Sequence, residues 1–373
     1  LKAVIVECKL PRVPSRVDEA LIMAKTIDYT VVKTLIQKRN SEHHSYCIGP
    51  GKLEELANLV NNNGVELVIF TNTLPSSQIF KIQRRLGGNI KVIDRNLLIL
   101  EVFEKRAMTR EAKLQIKLAK LRYTFSWGRE FIKLRGIMGE QLGWMGPGDY
   151  PFQEYYRAAR KRISRLEAEL NEIDTKKNMR REHRHELGFP IIALAGYTQS
   201  GKTTLFNRLA GESKSMGLGP FTTLSTFARK VSHQGIQFIL VDSIGFIEDM
   251  HPIILKAFNA TLSEITKADV ILLVVDASDD IETMSRKLAS IDKILHEIDV
   301  SSDLLICLNK TDLSSQEHLI EAREVLQNIF AEKKIVQISA KTGDGIDGLL
   351  TLLAEKLKCQ LREVQVSGQR TTY

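Results

Sequence analysis

Residues 196–203 read Gly196-Tyr197-Thr198-Gln199-Ser200-Gly201-Lys202-Thr203, the pattern G-x-x-x-x-G-K-[ST]. No other feature of the chain restricts its fold so strongly. The pattern works where a buried strand delivers the backbone into a glycine-rich turn and a helix starts directly behind it. Both flanks are present: Ile191–Ala195 reads as an apolar strand and Thr203–Leu209 as a helix. The glycines let successive N–H groups converge, and the helix N-terminus adds a favourable dipole, so the turn is shaped to hold phosphate. Lys202 offers a point charge to β- and γ-phosphates, and Thr203 a hydroxyl to Mg²⁺. The expected fold class is α/β with a parallel sheet. The pattern alone does not select a nucleotide.

Four further segments follow in order. Gly219-Pro220-Phe221-Thr222-Thr223-Leu224-Ser225 holds Thr223, placed to ligate Mg²⁺ when a γ-phosphate is bound and to release it after hydrolysis. Asp242-Ser243-Ile244-Gly245 ends an apolar run 39 residues after Thr203. Its Asp suits a water on the magnesium, and its Gly lets a backbone N–H approach the γ-phosphate. Asn309-Lys310-Thr311-Asp312 ends another strand. A carboxylate there accepts the N1–H and exocyclic amine of guanine, and adenine leaves that charge unpaired. Ser339-Ala340-Lys341 ends the last strand, where a backbone N–H meets guanine O6. The expected Mg²⁺ ligands are Thr203 and Thr223, with Asp242 acting through water. Lys202, Thr223 and Gly245 stabilise phosphates. No catalytic residue is assigned.

The remainder of the chain divides by pattern. Residues 1–104 alternate short apolar runs (Ala3–Val6, Thr30–Ile36, Leu67–Phe70, Ile90–Ile93) with amphipathic stretches (Arg16–Lys25, Lys52–Asn61, Ser76–Leu86), as in a small α/β domain. Residues 105–188 read as an antiparallel helical hairpin. One helix lies between Arg106 and Tyr123. The other runs from Phe152 to Glu186, with an apolar seam at Tyr156, Ala159, Ile163, Leu166, Leu170 and Ile173 spaced three and four apart. The joining loop, Ser126–Pro151, contains Gly128, Gly136, Gly139, Gly143, Gly146 and Gly148, and both tryptophans, Trp127 and Trp144. Residues 189–359 form the nucleotide domain, with strands at Ile191–Ala195, Phe238–Asp242, Val270–Asp276, Leu304–Asn309 and Ile335–Ser339. Residues 360–373 read as a polar tail.

Charge separates these parts. Residues 1–189 carry 34 Lys and Arg against 22 Asp and Glu, whereas residues 190–359 carry 17 against 22. Lys105, Arg106, Arg110, Lys113, Lys117, Lys120, Arg122, Arg129, Lys133 and Arg135 face only two acidic residues in the same stretch, so its excess equals the net +8 of the whole chain. Cations interleaved with glycine and aromatics suit RNA, and these ten residues are the expected RNA contacts. The competing reading is a solvated basic face, with Trp127, Phe131 and Trp144 capping the hairpin.

Other classes are excluded by composition. Cys8, Cys47, Cys307 and Cys359 form no C-x-x-C pair, which removes zinc and redox motifs and suits a reducing compartment. The apolar stretch around Val270–Val275 falls far short of the roughly 20 residues of a membrane span. The N-terminus shows no signal-peptide pattern. A cytoplasmic monomer without a membrane span is expected.

The chain resembles the HflX family of ribosome-associated P-loop GTPases. The phosphate loop continues Thr204-Leu-Phe-Asn-Arg-Leu, Phe221-Thr-Thr-Leu resembles the family's F-A-T-L, and Asp242-Ser-Ile-Gly-Phe-Ile resembles D-T-V-G-F-I. Tyr46-Cys-Ile-Gly-Pro-Gly-Lys52, Val92-Ile-Asp-Arg95 and Gly143-Trp-Met-Gly-Pro-Gly148 match outside the nucleotide domain. Gln199 stands where the family has Asn and Ser225 where it has Asp, and Asp149–Glu154 departs from E-T-Q-L-E. The resemblance implies an N-terminal α/β domain, a helical hairpin and a GTPase domain, without the separate C-terminal domain of many bacterial members. It also implies binding to the large ribosomal subunit and ribosomal RNA, with a role in ribosome splitting, rescue or recycling.

Phe246 follows Gly245, where Ras-like enzymes carry the Gln that orients the attacking water. An apolar ring cannot do this, so slow intrinsic GTP hydrolysis stimulated by the ribosome is expected. Two other readings remain at this stage: a P-loop ATPase acting on RNA, and a non-enzymatic RNA-binding protein with GTP as a structural ligand.

Overall fold

The computed structural model describes residues 1–137, 149–186, 189–211, 227–243, 245–247, 251–257, 265–297 and 302–368. Within these, the side chains of 126–127, 129–137, 149–155, 177–178, 180–186, 256–257 and 359–368 are not described. Thr223 and its neighbours 221–225, Ile244, and the side chains of Trp127, Arg129, Phe131, Lys133, Arg135 and Trp144 therefore lie outside the description. The α/β class expected from sequence is observed. The chain divides into two units: Leu1–Ile173 with Met250–Ala257, and Asp174–Asp249 with Phe258–Tyr373.

In the first unit, β1 (Lys2–Lys9), α1 (Val17–Thr26), β2 (Thr30–Lys38), α2 (Pro50–Asn63), β3 (Leu67–Phe70), α3 (Ser76–Arg85) and β4 (Lys91–Ile93) alternate as the apolar runs require. The strands form a parallel sheet in the order β2-β1-β3-β4. β1 and β3 are central and buried on both faces, which is why they read as unbroken apolar runs rather than alternating ones. α2 shows how the sequence sets its own ends. Pro50 opens the helix, where a missing N–H goes unnoticed, and Gly64 closes it at φ 59° in the left-handed region. Asp94 caps α4 (Arg95–Arg106) by accepting the Leu97 N–H at 3.0 Å.

The hairpin helices are α5 (Arg110–Ile137) and α6 (Asp149–Glu186). α5 continues past Tyr123 to Ile137, so the first part of the expected glycine loop is helical. One or two interior glycines cost a helix only about 1 kcal/mol each relative to alanine, and Gly128 and Gly136 are spaced widely enough to be carried. The α6 seam is buried or half-buried, with Ala159 and Leu166 the most enclosed. Phe125 packs on Tyr156 with ring centroids 4.2 Å apart and Arg110 pairs with Glu169 at 3.3 Å, so the two helices run antiparallel.

The second unit contains β5 (Ile191–Gly196), α7 (Lys202–Ala210), β6 (Phe227–His233) and β7 (Ile236–Asp242). α8 (Pro252–Ala257) belongs to the first unit. β8 (Val270–Asp276), α9 (Ile281–Glu297), β9 (Asp303–Asn309), α10 (Gln316–Ile329), β10 (Ile335–Gln337) and α11 (Ile346–Gly368) complete the second. Its sheet runs β10-β9-β8-β5-β7-β6, parallel except for the edge strand β6. That strand was not anticipated. It joins β7 through Gln234 (φ 49°) and Gly235 (φ 77°), a two-residue turn with both central residues left-handed. A core of Leu194, Phe206, Phe238, Leu272, Leu305 and Leu353, among others, lies on one face of the sheet. α11 reaches Gly368, into the stretch read as a polar tail. Among the described residues, no helix is long and apolar enough to cross a membrane.

Candidate nucleotide site and basic hairpin

All the described nucleotide motifs lie at the C-terminal ends of parallel strands, the end of an open α/β sheet where ligands bind. Two glycines of the phosphate loop are sterically obligatory. Gly196 has φ 142°, and a Cβ there would stand 2.2 Å from the Val274 carbonyl oxygen. Gly201 has φ 95°, and its Cβ would stand 2.3 Å from Asn309 Nδ2. Gln199 is left-handed at φ 68°, a conformation in which the family's Asn is better tolerated, because its short side chain bonds locally.

Lys202, at the start of α7, is 6% exposed. Its Nζ donates to the Tyr197 carbonyl at 2.7 Å. Burial pushes the ammonium pKa down to about 8, with the Asp242 charge opposing the fall. On the next residue, Thr203 Oγ1 donates to Asp242 Oδ2 at 3.1 Å. These two oxygens have the hard-donor chemistry of a Mg²⁺ site. Among the described residues, no group of three His, Cys, Asp or Glu side chains forms a metal cage. A magnesium held by Thr203, phosphate oxygens and waters needs none.

The D-x-x-G segment is bonded directly to the phosphate loop. Phe246 N–H donates to the Gly196 carbonyl at 2.9 Å, and the Phe246 carbonyl accepts the Thr198 N–H at 2.9 Å. Ser243 Oγ donates to the Leu194 carbonyl at 2.5 Å. Gly245 lies so close that an added Cβ would stand 2.8 Å from Lys202 Nζ and 2.9 Å from Thr198 Cα.

The base-reading segments converge on the same loop. Asn309 spans them: its Nδ2 donates to the Ser200 carbonyl at 2.8 Å, and its Oδ1 accepts the Ala340 N–H at 2.9 Å. Ala340 N–H, one candidate for guanine O6, is thus engaged by Asn309. Asp312 Oδ1 accepts from Ser339 Oγ at 2.7 Å, which orients the carboxylate. Thr311 Oγ1 donates to the Ile338 carbonyl at 3.0 Å. Lys310, left-handed at φ 66°, pairs with Asp276.

Sequence reasoning missed two supporting side chains. Arg208 on α7 donates to the carbonyls of Ala340, at 3.2 Å, and of Lys341, tying the helix behind the phosphate loop to the base-reading loop. Lys287 grips Asp279 with both contacts at 2.7 Å and lies 4.9 Å over the Tyr197 ring. Arg208 stands in the Thr204–Leu209 continuation of the phosphate loop and Lys287 in no motif, but the partners of both are distant in sequence, so only the fold shows what they touch.

The hairpin presents a different picture from its charge count. Arg110 pairs with Glu169 at 3.3 Å and Arg122 with Glu167 at 2.6 Å; Lys120 pairs with Glu104 and Lys105 with Asp28. Arg106 is partly enclosed, and burial lowers its pKa. Of the ten expected RNA contacts, Lys113 and Lys117 are the described ones that are exposed on α5 with no ion pair among the described residues. α6 carries cations outside those ten: Arg157, Arg160, Lys161, Arg162 and Arg165 are all exposed. The signal was legible: no acid stands between Glu154 and Glu167.

A buried polar cluster also marks the first unit. Asp94, 0% exposed, accepts from the Tyr123 hydroxyl and, at 3.3 Å, from the Leu74 N–H. Burial raises its pKa against those hydrogen bonds. Asn96 Nδ2 donates to the Tyr123 oxygen at 3.1 Å, and the His251 ring meets the Tyr123 ring edge-on at 5.2 Å.

Three family models match the chain: a GTP-binding GTPase N-terminal region over residues 15–104, a GTP-binding GTPase middle region over 106–184, and a 50S ribosome-binding GTPase over 191–310. A GTPase HflX of Hyperthermus butylicus is 38% identical over 360 residues, spanning 93% of this chain and 94% of that protein. A GTPase HflX of Methanocaldococcus jannaschii is 34% identical over 345 residues, spanning 92% and 83%. A GTP-binding protein of Sulfolobus solfataricus, crystallised with GDP, superposes with a TM-score of 0.51 at 25% identity, covering 96% of this chain and all of that one.

Proposed function

The chain belongs to the HflX family of GTPases, and from that premise we propose that it engages the large ribosomal subunit when GTP is bound and leaves it after hydrolysis, in ribosome splitting, rescue or recycling in the cytoplasm. Ribosome association is a property of the family, and guanine-nucleotide binding and GTP hydrolysis follow from membership. The proposed organisation is an α/β domain over 1–104, a hairpin over 105–188, a GTPase domain over 189–359, and a C-terminal segment over 360–373.

The observation that carries the nucleotide assignment is convergence. Segments from β5, β7, β9 and the loop after β10 meet through Thr203–Asp242, Phe246–Gly196, Asn309–Ser200 and Asn309–Ala340. In the proposed complex, the N–H groups of residues 198–203 hold the phosphates, and Lys202 exchanges the Tyr197 carbonyl for phosphate oxygens. Thr203 and Thr223 would hold Mg²⁺, with Asp242 acting through water. Magnesium supplies charge neutralisation at the β- and γ-phosphates. Asp312, held by Ser339, accepts the guanine N1–H and amine. The Gly245 N–H meets the γ-phosphate.

With Phe246 in place of a water-orienting side chain, hydrolysis is slow until the ribosome orders the attacking water or the surrounding segments. Multiple-turnover GTP hydrolysis, measured with and without purified large subunits, tests this. Stimulation is expected; equal rates would refute the coupling.

A further inference from the structure

We propose that Lys287 is a positioning residue for GTP hydrolysis: it holds the Tyr197 ring, and through it the seam that keeps Gly245 against the phosphate loop. The inference rests on the γ-phosphate contact assigned above to the Gly245 N–H, and it names a residue outside every nucleotide motif that maintains this contact.

Tyr197 is where the two segments meet. The Gly196 carbonyl before it accepts the Phe246 N–H at 2.9 Å, and the Thr198 N–H after it donates to the Phe246 carbonyl at 2.9 Å. These bonds form a short parallel bridge between Tyr197 and Phe246. Gly245 directly precedes Phe246, so its position follows that of the Tyr197 backbone. A turn that owes its shape to glycines gains conformational freedom from them, and a side-chain anchor restricts that freedom.

The anchor comes from α9. Lys287 Nζ lies 4.9 Å from the centre of the half-buried Tyr197 ring, within the roughly 6 Å at which a cation is attracted to an aromatic face. The ammonium is fixed from behind. Both carboxylate oxygens of Asp279 accept from Nζ at 2.7 Å, and the two side chains are only 21% and 18% exposed. Asp279 is tied down in turn. Its backbone carbonyl accepts from His318 Nε2 of α10 at 2.9 Å, and Asp276, three residues earlier, pairs with Lys310 of the base-reading segment. Burial raises the Asp279 pKa, with the Lys287 hydrogen bond opposing the rise, so the enclosed carboxylate depends on its cation. Ring, ammonium and carboxylate thus link the phosphate loop to the frame that reads the base.

GDP has no γ-phosphate, so its binding does not use the Gly245 N–H. Loosening the clamp should act on GTP and its hydrolysis and spare GDP, a split that a general support of the fold would not produce. The test uses K287M/D279N, which removes both charges together and leaves no enclosed carboxylate without its cation. K287R retains a cation that pairs with carboxylate and stacks on aromatic faces. G245A disturbs the γ-phosphate contact itself. Single-turnover GTP hydrolysis, affinities for GDP and for a GTP analogue with a non-hydrolysable β–γ bridge, and the urea midpoint are measured in the full chain.

K287M/D279N is expected to hydrolyse bound GTP about 3–10-fold more slowly and to lose a similar factor in affinity for the analogue, the span of a cation–π contact. GDP affinity should stay within about twofold, and K287R should recover the rate to within about twofold of wild type. An unchanged rate, an equal loss of affinity for GDP and the analogue with a lowered urea midpoint, or a K287R as slow as the neutral pair would each overturn the proposal. A slow G245A beside an unchanged K287M/D279N would refute the role of Lys287 alone. A G245A that hydrolyses GTP at the wild-type rate would refute the Gly245 reading, and this inference with it.

Discussion

Replacing Phe246 with glutamine puts, right after the D-x-x-G glycine, the side chain that orients water in Ras-like enzymes. The structure predicts that this does not create a fast GTPase. Phe246 is 2% exposed. Its backbone is held on both sides, by Gly196 and Thr198, each at 2.9 Å. A residue fixed in this way keeps its side chain in the protein interior, and a glutamine there is enclosed rather than presented to the nucleotide.

The energetic consequence can be sized. Removing a fully buried phenyl ring forfeits about 2–3 kcal/mol of burial. Enclosing an amide without hydrogen-bond partners adds about 1–3 kcal/mol. The variant should therefore lose about 3–6 kcal/mol, a large part of the roughly 5–15 kcal/mol typical of a folded domain. Urea unfolding measures this loss, and single-turnover hydrolysis of bound GTP measures the chemistry. The rate should stay within about threefold of wild type, far below the 10²–10⁴ that a positioned proton-transfer group contributes. F246L, which retains an apolar side chain, should lose about 1–2 kcal/mol and leave hydrolysis equally slow. Unchanged stability together with hydrolysis accelerated about a hundredfold would show that the side chain reaches the γ-phosphate, and the reasoning would fail.

Three more substitutions probe other parts of the molecule. D312N exchanges one acceptor for a donor against guanine; GDP affinity should fall about 10²–10⁴-fold, from the loss of two charge-assisted hydrogen bonds worth about 1.5–3 kcal/mol each, and xanthosine diphosphate should become the better competitor. R208M removes both bonds to the Ala340 and Lys341 carbonyls; because Arg208 is exposed, about 1–2 kcal/mol is expected, read as a roughly 5–30-fold weaker affinity for GDP and inosine diphosphate. The 2-aminopurine riboside diphosphate, which lacks O6, should be affected less, and an equal loss for all three would reduce Arg208 to a general support. His251 tests pH: burial holds its pKa below the usual histidine value, with Asp94 opposing, and its Nδ1 accepts the Ile253 N–H at 3.2 Å. The unfolded chain then takes up the proton first, so stability present above about pH 6.5 is lost as pH falls through and below it. H251Q should show a shallower decline in unfolding free energy between neutral pH and pH 5.

What could be read without coordinates depended on how far apart the cooperating residues lie in sequence. The phosphate loop was legible because strand, glycines, Lys202 and Thr203 are contiguous, and the α6 seam because its spacing repeats within one helix. The β6–β7 hairpin carried a local signal too, in Gln234-Gly235, but a polar edge strand lacks the apolar run by which the buried strands announce themselves. The six-glycine loop misled in its first part because glycine only lowers helix propensity by about 1 kcal/mol, and the flanking residues of α5 outweigh it. Charge was the least legible feature. A count over 105–135 cannot see that Glu167 and Glu169 arrive from the second helix, or that Asp28 and Glu104 arrive from the first domain. The excess found there is real as a sum, yet carboxylates distant in sequence hold much of it. The smaller excess over 157–165 faces outward because a seam two residues away faces in. For a binding surface, then, the informative quantity is the charge that remains after the fold has assigned its partners, and periodicity around a seam approximates it better than net charge in a window does.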